Sequence, residues 1–247
     1  MKKLIKVSIV GLILTSVSIF ATKSEILSNI EKIRIVTQGL SKNYFYKQQK
    51  IQISSARRGI KKNILSLDDS IYFLSKTLKN DEQKSLLEFM TFSVDELKIT
   101  IKGKLTLENG GLVLDYTEAI LEVADNLKSE MEVENNMLLI LNEMKFLLER
   151  ASKYYIAFRA GYKDPNNISQ AKKAIKKFET LLVKVQKYNY PSHIKNGSVK
   201  KLSRYWPVSK NFYLGIKKSK LPTIVFISTK HMNRALEKLI KFHKSIK

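Results

Sequence analysis

The stretch Ile30 to Tyr46, IEKIRIVTQGLSKNYFY, returns 111 residues later as Leu141 to Ala157, LNEMKFLLERASKYYIA, without a gap. Ile30 meets Leu141, Ile33 meets Met144, and Ser41-Lys42 with Tyr44 meets Ser152-Lys153 with Tyr155. The same offset carries Ile60 onto Ala171, Ile64 onto Ile175, Leu67 onto Phe178, Ile71 onto Leu182 and Lys76 onto Lys187. One offset held from Ile30 to Lys76, apolar on apolar and polar on polar, marks an internal duplication. Past the longer loop from Tyr190-Pro191 to Gly197 the offset settles near 116, with Leu86 on Leu202, Met90 on Trp206, Leu97 on Tyr213 and Ile120 on Leu236. Two copies of about 110 residues, each with its own core, are thereby expected.

The periodicity inside each copy is helical. Ile26, Ile30, Ile33, Leu40 and Tyr44 form one stripe between about Lys23 and Gln49. A second helix starts near Ser54, where Ser54-Ser55 offers an N-cap, and carries Ile60, Ile64, Leu67, Ile71, Leu74 and Leu78 at bundle-seam spacing. A third, about Asp81 to Leu107, turns Leu86, Phe89/Met90, Leu97, Ile101 and Leu105 inward and ends at Asn109-Gly110-Gly111. From Leu112 to Ala160 there is neither Gly nor Pro. This predicts that the fourth helix runs on into the first helix of the second copy, as one rod of about 50 residues and roughly 75 Å. A break near Asn135-Asn136 is the alternative. In the second copy a helix spans about Ile168 to Tyr188, Pro207 bends or restarts the next, and Pro222 opens the last, about Leu221 to Ser245. The fold expected is all-α: two tandem antiparallel four-helix bundles sharing a long central helix, over residues 22–133 and 134–247.

Residues 1–21 read as a secretory signal peptide: Met1-Lys2-Lys3, then an uncharged run from Val7 to Phe20, then a cleavage point near Ala21. An uncleaved anchor is the rival, but a span needs roughly 20 apolar residues and Lys6 shortens this one. A periplasmic location is expected. No cysteine is present, which excludes disulfides, thiol chemistry and a lipid-anchored N-terminal Cys.

The formal charge of +23 is unevenly placed. Residues 22–150 hold 19 Lys+Arg against 19 Asp+Glu, whereas residues 151–247 hold 23 against 3. In register, core letters persist while surface charges invert: Glu88 becomes Arg204, Glu118 becomes Arg234, Glu122 becomes Lys238 and Asp125 becomes Lys241. Such asymmetry speaks of partners, not of fold. For an exported chain the polyanions to hand are membrane headgroups, envelope polymers or an acidic protein; nucleic acid is not expected.

At Arg34-Ile-Val-Thr-Gln-Gly-Leu-Ser-Lys-Asn-Tyr44 the sequence resembles the opening helix of the type IV pili methyl-accepting chemotaxis transducer N-terminal domain, a sensor module shared with nitrate/nitrite sensor kinases. Arg34, Thr37, Gln38, Lys42 and Tyr44 fall on the family's Arg, Ser, Gln, Lys and aromatic positions. The resemblance covers about residues 26–127 and again 137–243. It implies an extracytoplasmic four-helix bundle, in tandem here, in which the arginine matching Arg34 comes from both subunits of a dimer to hold a small anion between two first helices. Glu31 stands where the family has glycine, so a carboxylate borders that position.

Candidate ligand-binding residues are therefore Lys32, Arg34, Gln38 and Lys42, with Lys145, Arg150 and Lys153 in the second copy. A second candidate is a basic surface of Arg204, Lys210, Lys217, Lys218 and Lys220, interleaved with Tyr205, Trp206 and Tyr213. Trp206 and Tyr213 align with core positions, which favours packing for the rings. The three histidines are scattered, and no ligand pair, nucleophile elbow or phosphate loop occurs, so neither an enzyme nor a metal or cofactor is expected. The expected function is a sensor-like module binding a small anion or envelope ligand, with a signalling or envelope protein as partner and a homodimer as one assembly. The alternative is an envelope-associated structural protein whose basic second bundle adheres to anionic lipid or polymer.

Overall fold

The computed structural model describes residues 22–131, 136–218 and 221–246, so the leader and Lys220 lie outside the described residues. Helices are the only regular elements among them: α1 (Lys23–Gln48), α2 (Ile53–Thr77), α3 (Asp81–Lys102), α4 (Leu107–Ser129), α5 (Met137–Arg159), α6 (Pro165–Lys187), the single turn α7 (Ser192–Ile194) leading through a π-turn at Lys195–Val199, α8 (Lys200–Leu214) and α9 (Pro222–Ser245). The fold is all-α. No helix of the described residues is long and apolar enough to cross a membrane.

The contacts repeat with the sequence. α1 packs on α2 and α4, α3 on α4, and α2 touches α3; in the same way α5 packs on α6 and α9, α8 on α9, and α6 touches α8. A further extensive contact joins α1 directly to α5. The duplicated stretches are thus the two central helices of the molecule, laid against each other. Ile30 and Leu141, Ile33 and Met144, Tyr44 and Tyr155 are all fully buried. Ile120 and Leu236 match likewise, and Trp206 and Tyr213 are core residues, as their register predicts.

The continuous rod does not form. α4 ends at Ser129, and Asn136, in an extended conformation, accepts a hydrogen bond from the Leu139 N–H to cap a new helix. Absence of Gly and Pro is permissive for a helix, but an asparagine that satisfies an orphan N–H makes a start just as readily. The break lets α5 fold back against α1. The turn placed at Asn109-Gly110-Gly111 also shifts: the chain breaks at Gly103, Thr106 caps the Asn109 N–H, and Gly110 lies inside α4. Gly110 is there for contact, since a Cβ would stand 1.8 Å from the Tyr162 hydroxyl. α2 starts at Ile53 after Gln52 in the left-handed region, without the Ser54-Ser55 cap. Pro207 sits within α8, whose restart is the π-turn before it. Phe89 and Leu105, expected inward, are exposed while Met90 takes the core position.

The cap decides between the two helix arrangements. Asn136→Ala should lower stability by about 1 kcal/mol in urea unfolding, whereas in an uninterrupted rod the same change would stabilise, since alanine is the better helix former.

Candidate functional site

The α1–α5 seam has two flanks. One faces α4 and α6, the other α2 and α9, and the repeat register makes each residue of one flank the counterpart of a residue of the other.

On the α4–α6 flank, opposite charges are matched. The buried Arg34 guanidinium donates to Glu31 at 2.9 Å, to Asp125 at 2.6 Å and to Glu143 at 2.8 Å, and lies 4.1 Å from the Phe146 ring centre. Lys128 pairs with Glu31, and Lys177 from α6 with Glu143, at 2.5 Å each. Further along, Arg150 makes a two-pronged contact with Glu118 at 3.1 and 2.8 Å and reaches Gln170 at 3.4 Å. Lys153, with no solvent exposure, donates to the same Glu118. These partners set the titrations. Burial opposes charge on Glu118 and Glu143, but Lys153 and Arg150 around the first, and Arg34 and Lys177 around the second, hold each carboxyl down at about 2. Burial pulls Lys153 down to about 8, the Arg150 charge adding to the effect and Glu118 opposing it.

On the α2–α9 flank the counterparts differ in charge and size. Glu118 is replaced by Arg234, Asp125 by Lys241, Glu143 by Lys32 and Glu31 by Asn142. Arg150 is replaced by Gly39, Gln170 by Gly59 and Lys177 by Ser66. Carboxylates become cations, and long side chains become short ones. The result is an open cleft of about 740 Å³ lined by all seven of those residues, with Lys42, Lys145 and Glu149 also in the lining. At Gly39 an added Cβ would stand 2.6 Å from the Asn63 amide, so glycine there lets the Asn63 side chain lie close against the α1 backbone at the cleft wall.

Two of the cleft's cations are neutralised from within. Lys42 contacts Glu149 at 2.6 Å, and Lys145 contacts Glu237 at 2.8 Å. Lys32, Arg58, Lys62, Lys230, Arg234, Lys241 and Lys244 line the cleft, and among the described residues none of these seven makes an ion pair with a carboxylate. Like charges facing one another across a cleft raise its positive potential and favour an anion there.

The residues anticipated from sequence are therefore divided. Lys32, Lys42 and Lys145 reach the cleft. Arg34 does not: three carboxylates of its own chain occupy the place of an external anion, so the reading of Arg34 as an anion ligand is corrected. Gln38 is fully buried with neither amide atom hydrogen-bonded, and it too faces no open site. Arg150 and Lys153 are committed to Glu118. The second basic surface does not converge: Lys210 pairs with Glu179 at 2.5 Å, Arg204 lies over Tyr205, and Lys217 and Lys218 point to solvent near the end of α8. Arg58, Lys62, Lys230, Arg234, Lys241 and Lys244 were not singled out as a site; the sign reversal of Arg234 and Lys241 was the signal that could have found them. Protein-family models, curated proteins and solved structures were all compared with the chain, and none matches.

Three outcomes follow for the closed flank. Arg34→Ala should cost about 3–5 kcal/mol by stranding buried carboxylates, seen as a lowered urea midpoint with polyanion affinity per folded molecule unchanged. For pH, the two depressed carboxyls are protonated first in the unfolded chain, so their stabilisation holds above about 4.5 and is lost as pH falls towards about 2. Lys153 has the opposite sense to a stabilised lysine: the folded state releases its proton first, so stability rises between about 8 and 10.5. Unfolding measured across that range should show the rise in the parent and its loss in Lys153→Met.

Proposed function

We propose that this protein is an exported binding module without chemistry of its own, which takes an anionic ligand in the cleft between α2 and α9. The observation that carries the reading is the inversion across the seam. Where one flank supplies its own carboxylates, Glu118, Asp125 and Glu143, the other presents Arg234, Lys241 and Lys32 around an open cleft. An external anion replaces internal ones. The resemblance to the transducer sensor domain agrees with binding beside two first helices, here both of one chain, but not with Arg34 as the ligand: the cleft holds its repeat counterpart Lys145 instead.

A flat bilayer fits this site less well than a ligand that can enter it, because Lys32, Lys42 and Lys145 stand along the α1–α5 floor. Binding there would bridge α2 of one copy to α9 of the other and shift the two about their seam, a movement that a partner protein could read.

The test is a titration with labelled polyphosphate followed by anisotropy. Lys230→Glu with Arg234→Glu should weaken binding more than about tenfold and flatten the salt dependence by about one unit per removed cation. The exposed pair Lys217→Glu with Lys218→Glu, which carries the same change in net charge, should leave affinity nearly unaltered. Equal losses in both variants would mean that net charge, not the cleft, binds.

A further inference from the structure

We infer that the anion taken by the α2–α9 cleft is a carbohydrate chain bearing acidic groups, an inference that rests on that cleft being the binding site. Its charged groups are arranged for a linear ligand. Along α9, Lys230, Arg234, Lys241 and Lys244 follow one another at one- and two-turn intervals, so the row extends over about 20 Å. Arg58 and Lys62, one turn apart on α2, line the same cleft.

Charge alone does not describe the site. Between the cationic residues the cleft is lined by side-chain amides, Asn43, Asn63, Asn142 and Asn233. Among the described residues the amides of Asn43, Asn63 and Asn142 make no hydrogen bond to the protein. Asn233 donates to Glu149, while its own carbonyl oxygen is buried without a partner. An amide offers an acceptor and two donors, the complement of a hydroxyl group, which both gives and takes a hydrogen bond. A ligand of charges only, such as polyphosphate, can accept hydrogen bonds from the lysines and from the amide N–H groups, but has nothing to give the amide carbonyl oxygens, of which that of Asn233 is buried without a partner. A sugar chain with carboxylate or phosphate substituents uses both sets. Among the described residues Phe226, whose ring packs on Tyr46 with centres 4.8 Å apart, is the one aromatic residue in the lining and adds apolar surface for sugar C–H groups. A single ring is a poor platform for nucleic acid, which is held by stacking successive bases.

The experiment compares four polyanions matched in length and charge on the purified chain: oligogalacturonate, polyphosphate, polyglutamate and a single-stranded oligonucleotide. Each is titrated between about 50 mM and about 300 mM salt. Oligogalacturonate should keep at least about tenfold more of its affinity at the higher salt than the other three. Asn63→Ala with Asn142→Ala should remove that advantage and leave polyphosphate binding unchanged; Asn142→Ala alone, at a partly exposed position, repeats the test should the double variant misfold. Four polyanions with one common salt slope, or tighter binding of the oligonucleotide or polyglutamate, would overturn the carbohydrate inference while the cleft stands. No loss of any polyanion in Lys230→Glu with Arg234→Glu would bring down the cleft reading, and this inference with it.

Discussion

The contact of α1 with α5 is the constraint from which the remaining architecture follows. Each of these helices already packs on two neighbours of its own copy, so their mutual contact leaves almost no solvent-facing side. From Glu143 to Phe158 nearly every residue of α5 is buried, charged ones included. Such a helix cannot be amphipathic in the usual sense, and its polar residues must find partners inside the molecule or go without. Both outcomes occur. Ser152, Tyr213 and Thr229 close a hydroxyl cluster at 2.7–3.1 Å, whereas Thr37, Gln38, Ser41 and the Tyr44 and Tyr46 hydroxyls on α1 are buried with no hydrogen-bond partner.

Duplication gives the seam two equivalent flanks, and equivalence is what makes their difference informative. A carboxylate such as Glu118 between Arg150 and Lys153 closes one side, because a buried cation requires a compensating charge. Arginine in the place of Glu118, with glycine in the place of Arg150, removes the compensation and the bulk together. The closed flank shows what the open one is short of: carboxylates enough to match its cations, since Glu149 and Glu237 pair only with Lys42 and Lys145, and volume. That comparison needs no relative of the protein, because the chain carries its own reference copy.

Much of this was legible in the sequence. The offset of 111 fixed which helices correspond, and the seam Ile60 to Leu78 fixed the inward face of α2. The charge asymmetry located the excess in the second copy. Helix ends were less legible, because Asn136 reads equally as a tolerated helix residue and as a cap until the chain is seen to turn there. The sequence points to Arg34 as an anion ligand because periodicity cannot tell a cation awaiting a ligand from one enclosed by Glu31, Asp125 and Glu143. Two of those carboxylates come from other helices, over 90 residues away in sequence. The same holds for the cleft, whose walls are residues near 58 and near 234.

What the sequence determined by itself is the repeat, the helical period within it and the reversal of charge from one copy to the other, because each is a property of order along the chain. Which flank of the seam closes and which stays open was decided only in three dimensions. Ion pairing and cleft volume depend on side chains that meet across helices, and the break at Asn136 is what folds α5 against α1 and brings them together.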